Sequence, residues 1–157
     1  MREPEGGPGN GGFAGPAASG AAREEGSMAL APGLSAEFRR KVDKQHTATH
    51  HGNPGVDVLG TPVVCEWVEE AACLAVHPHL DPGMVSVGTV VNIKHLAATP
   101  IGMTVRVHAR LTEVDGRRLV FAVEAFDEKE KIAESQQERF IVTLQRFLER
   151  TAQKAKG

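Results

Sequence analysis

Cysteine is scarce in this sequence: Cys65 and Cys73 are the only two in 157 residues. They fall on one predicted helix, about 12 Å apart along its axis, too far to bridge within the chain. A disulfide scaffold is excluded, and two buried free thiols suit a reducing cytoplasm. Neither sign of charge is in excess. Eighteen Lys and Arg stand against 20 Asp and Glu, a formal net charge of -2, which gives no electrostatic footprint for nucleic acid or an anionic membrane. No apolar run approaches the length of a membrane span, and the first residues lack the basic-then-apolar order of a secretory signal. The seven histidines include the pairs His50–His51 and His77–His79, but no Cys or Asp spacing completes a metal site around them. Neither a metal nor a cofactor is expected.

What is present divides into a tail and one domain. Residues 1–33 are dominated by Gly, Pro, Ala and charge, too little apolar area to offset the entropy of ordering. They are expected to be a disordered low-complexity tail. The domain is expected over residues 34–157, with its core running to about residue 145. Residues 37–49 are a weak strand candidate, and "HHGNPGVDVLG" is a loop by its Gly and Pro content. Thr61-Pro62 marks a helix start, with Thr as N-cap and Pro in the first turn. That helix runs to about Val76. Four strands follow. Residues 85–95 are β-branched and alternating. Met103, Val105, Val107, Ala109 and Leu111 then share one face, and Leu119, Phe121, Val123 and Ala125 mirror them across the "DG" hairpin signal at 115–116. A turn near "DEKEK" leads into residues 131–143, and a short polar helix closes the chain.

One helix followed by an antiparallel meander, with an extra strand in front, is an α+β pattern. A single helix cannot cover a large sheet, but a sheet that curls can cover the helix. Ala71, Ala72 and Ala75 would let strands approach closely. The expected architecture is the hot-dog fold, an antiparallel sheet wrapped around one central α-helix; a two-layer sandwich or a cystatin-like wrap are the alternatives. On the helix, Cys65, Glu69, Ala72 and Val76 fall on one stripe at spacings of four, three and four. A carboxylate in that stripe suits a base for water, or a nucleophile attacking a carbonyl. Glu66 and Glu70 lie on the polar side and read as solvated surface. Arg117-Arg118, beside the hairpin turn, read as solvated charge as well.

The chain from about Ala36 to Phe147 is similar to the fluoroacetyl-CoA thioesterase-like family of hot-dog proteins. Four patches carry the resemblance: "GTPVVCEWVEEAA", "SVGTVVNIKHLAATPIGMTV", "VDGRRLVFAVEAFD" and "ERFIV". It implies hydrolysis of a small acyl-CoA thioester by a homodimer or higher homo-oligomer. The family's catalytic Thr, Glu and His correspond to Thr61, Glu69 and His95. Its glycine near the substrate corresponds to Gly88, and its late arginine to Arg139. Unpaired N–H groups at the start of the helix would stabilise an oxyanion, and His95 would orient Glu69 or pass a proton to the departing thiol.

Each role has a plainer rival. Thr61 reads equally as a simple cap, Gly88 as a strand bend, and Arg139 as an exposed strand residue or a partner of CoA phosphate. The fluoroacetyl-specific branch carries an aromatic-bearing segment before its catalytic Thr, and "HHGNPGVDVLG" has no Phe, Tyr or Trp. A generic short-chain or aryl acyl-CoA thioesterase is therefore expected. A non-catalytic acyl-CoA-binding module and a hot-dog dehydratase or hydratase are the other classes left open.

Overall fold

The computed structural model describes residues 30–157. Strand β1 (Ser35–Lys41) leads through two short 3-10 turns (Lys44–His46 and Thr49–His51) to helix α1 (Thr61–Val76). A third 3-10 turn, His77–His79, precedes β2 (Met84–His95), β3 (Thr104–Asp115), β4 (Arg118–Phe126) and β5 (Lys131–Thr143). Helix α2 (Leu144–Lys156) ends the chain. The five strands form one antiparallel sheet in the order β1-β3-β4-β5-β2. This is the hot-dog arrangement expected from the sequence.

Two boundaries differ from expectation. The first strand stops at Lys41, and residues 44–51 turn instead of extending. Their backbone is satisfied locally: the Thr47 N–H and the Thr47 hydroxyl both donate to Lys44 O. At the other end, Leu30 packs against the core and the Gly33 N–H donates to Leu111 O at 2.8 Å. Packing therefore starts before the expected boundary at residue 34. The rest of the expected tail, residues 1–29, lies outside the described residues.

The core sits between α1 and one face of the sheet. Alternation along the strands places Val105, Val107, Ala109 and Leu111 of β3, and Leu119, Phe121, Val123 and Ala125 of β4, on that face, all fully or nearly fully buried. From α1 come Val63, Val64, Trp67, Val68, Ala71, Ala72, Ala75 and Val76. The expected stripe is only half in this core. Ala72 and Val76 are fully buried, whereas Cys65 and Glu69 are partly exposed. The reason is the sheet edge: β2 is the last strand, so the flank of α1 facing it is left open. Glu70 also departs from its expected solvated state. The Arg40 guanidinium donates to both of its oxygens, at 2.8 and 3.1 Å, and this hydrogen-bonded pairing holds the Glu70 carboxyl below its usual range. Arg118 is likewise paired rather than free, donating to both carboxylate oxygens of Glu138.

If the three buried alanines set how deeply α1 seats, enlarging one should push the helix off the sheet. Ala72→Leu is expected to destabilise the fold by about 1–3 kcal/mol through overpacking, read as a lower midpoint in urea unfolding with an unchanged slope.

Candidate active site

Both ends of the open flank of α1 meet the edge strand. At the amino-terminal end, the Thr61 hydroxyl lies 2.8 Å from His95 Nδ1. Two turns later, the Glu69 carboxylate lies over Gly88 and 3.7 Å from the Arg139 guanidinium. Helix and edge strand therefore run antiparallel, with one group of reactive side chains at each end.

The helix start explains the first group and corrects a reading of the sequence. Gly60, not Thr61, is the N-cap, in extended conformation at φ -83° and ψ 146°. A β-carbon at Gly60 would stand 3.0 Å from the Ala48 backbone, so a larger residue would press the preceding loop outward. Thr61 is thereby moved one place into the helix and makes no capping bond. Its hydroxyl is directed to His95 instead. Pro62 has no N–H, and the Val63 and Val64 N–H groups both donate to Gly60 O at 3.0 and 3.1 Å. An oxyanion at this terminus is thus left with the Thr61 N–H and hydroxyl as donors.

His95 is the last residue of β2. Burial pushes its pKa below the ordinary value of 6.5, with the Ala97 backbone opposing the shift in part. Burial thus favours the uncharged ring, whose Nε2 is itself buried. The ring holds Thr61 and not the Glu69 of its own protomer.

The second group depends on a missing side chain. A β-carbon at Gly88 would clash with Glu69 Oε2. The β2–β5 register shifts between Gly88 and Val90, and this bulge turns the strand where the carboxylate rests. Arg139 is Gly88's partner in the ladder. Its guanidinium is buried, neither exposed nor available at the surface for a CoA phosphate. Nε donates to Ser86 Oγ at 2.8 Å and one terminal nitrogen to Ser86 O at 3.0 Å. Ser86 was not singled out from the sequence; a small polar residue two places before Gly88 was the available signal. Cys65 lies between the groups. Burial, and then the Glu69 charge, push its thiol up, which disfavours the thiolate.

The five residues expected at the site thus form two clusters, Thr61 with His95 and Glu69 with Gly88 and Arg139. Eight residues of helix set them about 12 Å apart. One offers a hydroxyl and a neutral imidazole, the other a carboxylate beside a fixed cation.

Comparisons with known proteins identify the family. Residues 42–145 match the family model described as FlK, fluoroacetyl-CoA-specific thioesterase. The fluoroacetyl-CoA thioesterase of Streptantibioticus cattleyicolor is 39% identical over 98 residues, 62% of this chain and 70% of that protein. A crystal structure of a mutant fluoroacetyl-CoA-specific thioesterase superposes with a TM-score of 0.74 at 33% identity, covering 80% of this chain and 97% of the other. A thioesterase-superfamily member from Thermus thermophilus gives 0.74 at 28%, over 80% and 93%. A hot-dog-like protein from Thermanaerovibrio acidaminovorans gives 0.76 at 23%, over 82% and 95%, and supports the fold alone. With the family model matching most of the domain, the chain belongs to the fluoroacetyl-CoA-specific thioesterase family and is an acyl-CoA thioesterase of the hot-dog fold.

Proposed function

We propose that this thioesterase hydrolyses short acyl-CoA esters at sites shared between two copies of the chain. The observation that carries this reading is the separation of Thr61–His95 from Glu69–Arg139 at opposite ends of one helix. A single thioester carbonyl cannot touch both clusters within a protomer. Setting two α1 helices antiparallel about a two-fold axis would bring Thr61 and His95 of one copy against the Glu69 of the other, and symmetry makes two such sites. The edge strand supports the pairing. β2 is 12 residues long, with Val90 and Val91 each 36% exposed, and an uncovered apolar edge of that length is a template for a second strand. A short acyl group is supported by the relatives: crystal structures of the fluoroacetyl-CoA-specific thioesterase were solved with fluoroacetate and CoA and with acetyl-CoA. The low cysteine content, with both thiols free, supports a cytoplasmic setting. Among the described residues no helix is long and apolar enough to cross a membrane.

The residues divide the work as follows. Glu69, held over Gly88 by Arg139, removes a proton from water as the oxygen attacks the thioester carbon. The same carboxylate is placed to attack directly, forming an anhydride that water then opens. The carbonyl oxygen gains charge at the Thr61 N–H and hydroxyl of the facing helix. The C–S bond breaks, and the proton that Glu69 took from water passes to the CoA thiolate, which returns Glu69 to its carboxylate form; His95 holds the Thr61 hydroxyl in place. Acid and free CoA leave.

Glu69→Gln is expected to lower kcat by at least about a hundredfold, the scale of a positioned base, with the circular dichroism spectrum unchanged. Glu70→Gln loses only the Arg40 pair and should leave turnover near wild type. Equal losses at both positions would count against Glu69.

The depressed His95 pKa links the site to folding. Between 6.5 and its lower folded value, the unfolded chain binds more protons than the native one, so stability falls as pH drops through that window and is fully present above it. His95→Gln should flatten the slope of unfolding free energy between about pH 7 and pH 5. A variant with the wild-type slope would assign that dependence to other groups.

The shared site is tested by complementation. Thr61→Ala and Glu69→Gln chains, each impaired alone, are unfolded together and refolded as a mixture. Half of the randomly assorted dimers are mixed, and each of those carries one intact site, so activity should return toward about a quarter of wild type. Mixed dimers that form and stay inactive would show that each site is built from one chain.

A further inference from the structure

We propose that Gln137 is a specificity-determining residue whose amide forms the polar end of the acyl site. It selects short acyl groups bearing a hydrogen-bonding substituent over alkyl groups of the same size. The inference rests on the hydrolytic reading of Glu69 given above.

The inner face of β5 is the anomaly that points there. In register with it, β4 presents Leu119, Phe121 and Val123 to the core. Opposite these, in the same order, β5 presents Arg139, Gln137 and Ser135. Three buried polar side chains face three buried apolar ones. Arg139 is explained by Ser86 and Glu69, and the Ser135 hydroxyl donates to Asn92 O at 2.7 Å. Gln137 has no such account. It is completely buried, and neither its amide oxygen nor its amide nitrogen has a hydrogen-bond partner.

A buried primary amide left with both ends unpaired lowers the stability of the fold. Methionine is of similar length and would fill the space without that cost. Rules of this kind are broken chiefly where function demands it. The location agrees. Gln137 is two residues from Arg139 on the same face of the same strand, about 7 Å along it. It is therefore next to the position that sets Glu69. Its partner on the edge strand is Val91, which is partly exposed, so one residue separates the amide from the open flank of α1. An acyl chain whose carbonyl meets Glu69 there extends toward this amide. A donor and an acceptor without partners favour a substituent that supplies both, such as a hydroxyl, and an alkyl group would leave them unpaired.

Hydroxyacetyl-CoA and propionyl-CoA have the same number of heavy atoms and differ in a terminal OH against CH3. The full chain should hydrolyse the first with a kcat/KM at least about tenfold higher. Gln137→Met should erase or invert that ratio and raise Tm by a few degrees, about 2–6 °C, as the unpaired amide is removed. Gln137→Leu is a second apolar replacement should the first fail to fold. A wild type that prefers propionyl-CoA overturns the proposal without any variant. So does a ratio that Gln137→Met leaves unchanged, the result for an amide that merely holds an internal water, and so does a fall in Tm. Glu69→Gln is assayed on both substrates in parallel. If it abolishes both activities while the ratio ignores Gln137, the fault lies with Gln137 alone. If it abolishes neither, the fault lies with the hydrolytic reading and Gln137 falls with it.

Discussion

The depth to which α1 seats against the sheet governs the placement of every reactive group. Ala71, Ala72 and Ala75 put almost nothing between the helix backbone and the strands. Because the helix sits low, a side chain on its flank reaches the edge strand instead of passing above it. Glu69 can then rest on Gly88, and Thr61 can meet His95. A helix raised by one layer of leucines would bury more apolar area and lose both contacts. Close packing here supplies position as well as stability.

Position in turn depends on how the supporting charges are fixed. Arg139 keeps its guanidinium aimed at Glu69 because Ser86 occupies two of its nitrogens. A buried cation without such partners would be costly, and removing one partner of a buried pair is more damaging than never having had it. The site thus has a supporting layer in β2 and β5, held by strand register and not by loops. At the other end, the uncharged state of His95 follows from burial, and its bond to Thr61 needs no third group within the protomer. One cluster is charged and the other is not.

Much of this was legible in the sequence for identifiable reasons. Period-2 alternation located β3 and β4, and the Asp115-Gly116 turn fixed their pairing because Gly116 takes a positive φ of 62°. The open flank of α1 was less legible. Periodicity showed Cys65 and Glu69 in line with Ala72 and Val76, but only strand order reveals that β2 is an edge and leaves two of the four uncovered. Thr61 was misread as a cap because Thr-Pro is a good cap pair in isolation. A tertiary contact, Gly60 against Ala48, shifts the helix start by one residue. Glu70 read as solvated because its partner, Arg40, is 30 positions away on β1. Gln137 carries no local signal, since its meaning arises from residues facing it across the sheet.

Gly88 has a consequence for where Glu69 can lie. The atom that a β-carbon there would displace belongs to the free end of a flexible side chain and not to backbone. The fold can therefore accept the change by swinging Glu69 away, with the strand, the Arg139–Ser86 bonds and the Thr61–His95 contact all left standing. Residue 88 thus sets where the Glu69 carboxylate lies without setting the course of the chain.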